Sequence, residues 1–162
     1  MIRNTSAIFA LLLGVVVQTS VLPIHVADPF KPDLLLVAMV YLALRGSSAS
    51  GAFLAWILGL VKDVFSGLYL GLNAFSFLII FLVIKSISDL LYAESSELFV
   101  VTVTAATLAC VTVDLLLLLM LTSTPGIFYS MTAGLLPHLL VNAFAASLVT
   151  LLPVFSSPQE VS

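Results

Sequence analysis

The chain has 162 residues, 62% of them hydrophobic and only 8% charged, and five Lys/Arg against eight Asp/Glu give a formal net charge of −3. Mean hydropathy is +1.28, and an ordinary soluble domain carries about 25% charged residues. This excludes a free-standing water-soluble enzyme, a disordered chain and a basic nucleic-acid binder. The single cysteine, Cys110, excludes an intramolecular disulfide and any multi-cysteine metal site. The expected class is an all-α integral membrane protein, with residues 1–162 as one transmembrane domain.

A helical span takes about 20 mainly apolar residues. In chain order the candidates are Thr5–Ile24, the short Pro32–Leu44, Ala49–Phe65, Leu70–Ser88, Leu98–Thr122 and Phe128–Leu152. The breaks fall at Asp28-Pro29, Gly46-Ser47-Ser48, Ser66-Gly67 and Thr124-Pro125-Gly126, where turn chemistry puts them. The expectation is therefore a six-helix transmembrane bundle. The first span follows Arg3 but leads into Gln18-Thr19-Ser20 without a small-x-small cleavage signature, so it is expected to stay as a span. Cytoplasmic loops carry an excess of Lys and Arg. An inside N-terminus puts Arg3, Arg45 and Lys85 inside and Lys31 and Lys62 outside, with the C-terminal tail inside as well. The loop Ser86–Glu97, with Asp89, Glu94 and Glu97, reads as a solvated connector.

The third span carries a ladder of small residues. Gly51, Ala55, Gly59, Asp63, Gly67 and Gly71 recur every four residues, a row that stays near one helix face and drifts about 40° per step. Such a row lets another backbone approach closely, which is how helices associate in lipid. Ser66-Gly67 breaks the helix, so Gly51 to Asp63 is the part that shares a face. Ser6, Ala10, Gly14 and Gln18 form a similar row in the first span. Packing within the bundle and contact with another protein both remain open for these rows.

Charged groups at bilayer depth are costly and usually face the interior of a bundle. With the N-terminus inside, Asp33, Asp63, Asn73, Asp114 and His138 map to the outward half, and Asn142 lies in the same span as His138. These six are candidates for a polar cluster or a shallow outward cavity. Asp33 after Pro32 also reads as a helix N-terminal residue favoured by the dipole, Lys62 as a cation snorkelling to the outer headgroups, and His138 after Pro137 as a packing residue. A carboxylate within a span needs a partner or a proton, which leaves Asp63 and Asp114 open between a structural and a functional role. Neither the Gly-x-Ser-Gly of intramembrane serine proteases nor the Tyr-Asp with Gly-x-Gly-Asp of aspartyl ones is present, nor a zinc or phosphate-loop motif. No enzyme activity, cofactor or metal is expected.

One stretch is more specific. Pro32-Asp33-Leu34-Leu35-Leu36, Tyr41-Leu42-Ala43-Leu44-Arg45-Gly46, Gly51-Ala52-Phe53-Leu54, Gly59-Leu60-Val61-Lys62-Asp63 and Gly67-Leu68-Tyr69-Leu70-Gly71-Leu72-Asn73-Ala74 together resemble the rod shape-determining MreD family over about a quarter of the chain. Trp56-Ile57-Leu58, where a less bulky run is common, and Lys62 beside the aspartate depart from that pattern. The resemblance implies a non-enzymatic bacterial inner-membrane subunit that binds MreC. It would help link MreB filaments to the polymerase RodA and its penicillin-binding transpeptidase, with membrane lipid and no nucleic acid as surroundings. It also implies a fold resembling the six-helix substrate-binding subunits of energy-coupling-factor vitamin transporters. The competing class is such a transporter subunit, with the solute in the outward cavity.

Overall fold

The computed structural model describes residues 14, 16–21, 30–66, 70–88, 95–121, 129 and 133–151. Among them are five α-helices and no strand: α1 (Leu34–Arg45), α2 (Ser48–Ser66), α3 (Leu72–Ser88), α4 (Ser96–Leu121) and α5 (Leu135–Thr150), preceded by a π-helical turn at Val17–Val21.

α1 starts where local chemistry stops the preceding chain. Pro32 cannot donate a backbone hydrogen bond, and Asp33 turns its carboxylate onto the next turn, accepting from the Leu36 N–H at 3.0 Å. The far end closes with the Gly46 N–H on the Leu42 carbonyl at 2.7 Å. Lys85 of α3 adds its Nζ to the Gly46 carbonyl at 2.9 Å, a cation at a helix C-terminus. Twelve residues rise about 18 Å, well short of a hydrocarbon layer about 30 Å thick. The position of α1 explains how so short a helix is held. Leu35, Leu36, Val37, Met39, Val40, Ala43 and Leu44 are buried around it, and it touches all four other helices. An apolar helix with no polar stripe belongs in a core.

The other helices pack around it, α2 against α3 and α4 against α5, with α3 also meeting α4. Phe77, Phe81, Phe99, Met39, Val40 and Val103 are fully enclosed. α2 and α4 contain stretches long and apolar enough to cross a membrane, Ser48–Phe65 and Ser96–Met120, while α1, α3 and α5 are shorter.

Five described α-helices stand where six spans are expected. The first expected span, Thr5–Ile24, lies largely outside the described residues, and its described part from Val17 to Val21 winds as π-helix. Within the expected last span, Phe128–Leu152, α5 runs from Leu135 behind Gly134, and residues 128 and 130–132 lie outside the described residues. Pro137 stands in the first turn of α5, where the N–H that proline lacks would have no partner within the helix. At the loop Ser86–Glu97, α3 continues to Ser88 and α4 begins at Ser96, with Ser95 Oγ accepting from the Leu98 N–H at 3.1 Å. The connector is shorter than the charges suggest, and Asp89 and Glu94 lie outside the described residues.

Unlike a soluble protein, the bundle has an apolar outer surface around an apolar core that also encloses polar side chains. Leu140 and Phe144 are 64% and 65% exposed, whereas Asp33 and Asp63 are each 2% exposed and Asn142 is fully buried. Helical hydroxyls turn back on their own backbone: Thr102, Thr104, Thr107 and Thr112 each donate to the carbonyl four residues earlier at 2.7–2.9 Å. This satisfies a hydroxyl where water is absent.

Candidate functional site

The α2–α3 corner is built from the four-residue ladder. At Gly59 a methyl group would lie 2.7 Å from both the Ala74 amide nitrogen and the Asn73 carbonyl oxygen, closer than real Cβ contacts allow. The two backbones therefore touch, and only glycine permits it. One turn later Asp63 aims at the start of α3. Its Oδ2 accepts from the N–H groups of Gly71 and Ala74 at 2.9 and 3.1 Å. Its Oδ1 accepts from the backbone N–H and the Nδ2 of Asn73, both at 2.9 Å. The first N–H groups of a helix have no partner within it, so a carboxylate from the preceding helix caps α3. The chain reaches this cap through Gly71, whose φ of +99° favours glycine.

Gly51 and Ala55 lie on the same helix. Ala55 is fully buried, and a methyl at Gly51 would meet the rim of the Phe81 ring, 2.6 Å from Cζ. Gly71 belongs to the turn rather than the ladder's face, and Gly67 lies outside the described residues.

A second polar set surrounds the N-terminus of α1. Lys62 Nζ donates to Asp33 Oδ2 at 2.5 Å and sits 5.1 Å from the centre of the Phe77 ring. The Asp33 N–H donates to Asn142 Oδ1 at 2.7 Å, and Asn142 Nδ2 donates to Thr107 Oγ1 at 3.1 Å. Gln18 of the π-helical turn accepts from the Leu34 N–H at 2.8 Å. One capping residue thus ties α1 to α2, α5 and, through Asn142, α4, while its neighbour ties α1 to the turn before it. Lys62 does not snorkel to the headgroups: its side chain is 24% exposed and ends on a buried carboxylate.

Asp114 forms a third set. Ser76 Oγ donates to its Oδ1 at 2.5 Å and lies 3.1 Å from the Leu72 carbonyl, joining α4 to α3 one turn beyond Asn73. His138 is half-buried in the first turn of α5, with its backbone N–H on the Gly134 carbonyl at 3.1 Å. Its ring lies within electrostatic reach of Asp33. The six candidates thus divide into Asp33 with Asn142 and His138, Asp63 with Asn73, and Asp114 with Ser76.

Lys62, Gln18, Thr107 and Ser76 complete these sets and are not among the six. For Ser76 a signal exists, since it lies three residues after Asn73 on the same helix face. Thr107 carries no signal, because a helical threonine reads as bonded to its own backbone. Among the described residues, every buried side-chain nitrogen or oxygen has a hydrogen-bond partner, and no three His, Cys, Asp or Glu are placed to hold a metal. The carboxylates accept from backbone N–H groups, an ammonium and a hydroxyl, which suits them to bracing helices.

A family model for the rod shape-determining protein MreD matches residues 2–157. The chain belongs to the MreD family. MreD-family proteins are membrane proteins that determine rod shape, and an apolar outer surface with the polar side chains enclosed and paired suits a bilayer as solvent. No curated protein and no solved structure matches the chain, so the expected likeness to vitamin-transporter subunits has no solved structure behind it. Within this MreD-family chain, the string from Gly59 to Ala74 gains a physical meaning: close approach at Gly59, cap at Asp63, turn at Gly71, and a second donor to the cap at Asn73.

Proposed function

We propose that this MreD-family chain is a non-enzymatic, multi-pass scaffold subunit of the bacterial inner membrane within the cell-elongation and peptidoglycan-synthesis machinery. It binds MreC directly and helps couple MreB filaments to the RodA and penicillin-binding transpeptidase pair. Both termini are cytoplasmic, and residues 1–162 form a single transmembrane domain. The observation that carries the reading is the polar clamp on α1, where side chains of Lys62, Asn142 and Gln18 converge on the Asp33-Leu34 backbone and carboxylate. A bundle pinned from within can present a fixed outer surface to other membrane proteins. The orientation is supported by Lys85 bonding Gly46, which gathers Arg45 and Lys85 at one end of the bundle, with Lys62 toward the other.

The test is complementation in a rod-shaped bacterium lacking its own MreD, together with affinity purification. The chain is expected to restore rod shape and to retain MreC through purification in mild detergent. Round cells and no MreC, or a stoichiometric small solute retained in its place, would overturn the reading.

A further inference from the structure

Among the described residues three carboxylates are enclosed in the bundle, and their surroundings compensate them unequally. Asp63 accepts four hydrogen bonds at the start of α3. Asp33 accepts from the Leu36 N–H and from the Lys62 ammonium. Asp114 is only 7% exposed, yet its hydrogen-bond partner among the described residues is a single hydroxyl, that of Ser76, at Oδ1. Ser76 has one proton to give and two oxygens in reach, Asp114 Oδ1 at 2.5 Å and the Leu72 carbonyl at 3.1 Å. The charges around Asp114 do not balance either. Facing it are Asp33 ahead of α1, Lys62 and Asp63 of α2, and the thiol of Cys110 one turn earlier on α4. From α3 it meets the Ser76 hydroxyl, and His138 of α5 stands near Asp33. Lys62 is the cation of this set, and it is already bonded to Asp33. An ionised Asp114 would be an enclosed charge with no cation of its own, which is costly.

We propose that Asp114 is a proton-binding site: at neutral pH it is an un-ionised acid that donates to Ser76 Oγ, which in turn donates to the Leu72 carbonyl. The oxygen positions allow the bond between Asp114 and Ser76 to run either way. Only this direction gives each of the two contacts its own proton. The line then joins α4 to the first turn of α3, the turn that Asp63 caps. The site is also a switch. Release of the proton to solvent turns the Ser76 hydroxyl onto Asp114 and takes the side-chain donor from Leu72. It also sets a second carboxylate against Lys62, in competition with Asp33. The clamp at the head of α1 is thereby loosened by an event on α4.

The experiment is infrared spectroscopy of the full chain, isotope-labelled at its aspartate carboxyl carbons and purified in a maltoside detergent, which has no ester carbonyl. At neutral pH a carboxylic-acid band that moves with the label is expected. Asp114→Asn should remove it, and Ser76→Ala should shift it without removing it, because the acid then loses its acceptor. Raising the pH until the band disappears should speed hydrogen exchange at the Leu34 and Leu36 amides about threefold beyond the intrinsic change, the size of one interhelical hydrogen bond. Asp114→Asn should abolish that response. Asparagine has the shape of the neutral acid and can donate to Ser76, so the variant is expected to stay monodisperse; were it not to fold, the shift in Ser76→Ala would still assign the band. No aspartic-acid band in the parent at neutral pH would overturn the proposal. So would a band that both variants leave untouched, or an α1 response that survives in Asp114→Asn.

Discussion

The α2–α3 and α4–α5 pairs solve the same problem with different materials. Two helices in lipid gain nothing from hiding apolar surface, because the solvent is apolar too, so they are held by close packing and by polar bonds. α2 and α3 use both at once: backbone contact at Gly59 and a carboxylate receiving four hydrogen bonds at Asp63. α4 and α5 bring buried alanines, Ala106, Ala145 and Ala146, and the bond from Asn142 to Thr107. The first pair is specified by features that tolerate no substitute, the second by packing with a light polar contribution. Damage to the two should therefore scale differently.

The largest effect is expected at Gly59. Even alanine there collides with the Ala74 backbone, which cannot swing aside as a side chain can, and leucine forces the helices apart. Gly59→Leu should cost about 3 kcal/mol or more, seen as loss of the monodisperse peak and of the thermal transition in detergent. Gly51→Ala meets only the rim of the Phe81 ring and should cost less than half as much. Equal losses at the two positions would show that the backbone contact at Gly59 is not special. Next comes Asp63. Asp63→Ala strips the acceptor from the N–H groups of Gly71, Asn73 and Ala74 together, and about 2 kcal/mol is expected. Asp63→Asn keeps one oxygen and should recover part of that. Hydrogen exchange should show the loss first in the opening turn of α3, and uniform loosening along α3 would argue against a cap.

Much of the α2–α3 corner was legible because its information is local. The four-residue spacing marks one face, Asp63 falls on it, and Gly71 and Asn73 follow within a dozen residues. Asp33 was equally readable as a helix start, since Pro32 and a carboxylate at a first turn are local chemistry. Lys62 was not. A single sequence shows a long cation near a helix end, and whether it meets headgroups or a buried carboxylate depends on Asp33, 29 residues away. The pairings Asn142 with Thr107, over 35 residues, and Ser76 with Asp114, over 38, were hidden for the same reason. Periodicity says which face is buried but not which residue waits across from it.

The smallest expected effect sharpens the comparison most, because it isolates one hydrogen bond in the α4–α5 pair. Thr107→Val keeps the shape of the side chain and removes the hydroxyl. Asn142 Nδ2 then loses its acceptor, while Asn142 Oδ1 still receives the Asp33 N–H. The Val103 carbonyl loses only a second, side-chain donor. Bonds of this kind between membrane helices average about 0.6 kcal/mol and reach about 1.7, partly because an unfolded chain in lipid also finds partners for its polar groups. Thr107→Val should therefore lower stability by about 0.6 kcal/mol in a reversible unfolding assay in bicelles, well below Asp63→Ala. Adding Asn142→Leu should cost more than the first step, because it also removes the acceptor from the Asp33 N–H at the head of the central helix. If Thr107→Val alone matched Asp63→Ala, the α4–α5 pair would depend on its polar bond as heavily as the α2–α3 corner does. The alanine packing would then contribute little, and the contrast between the two pairs would fail.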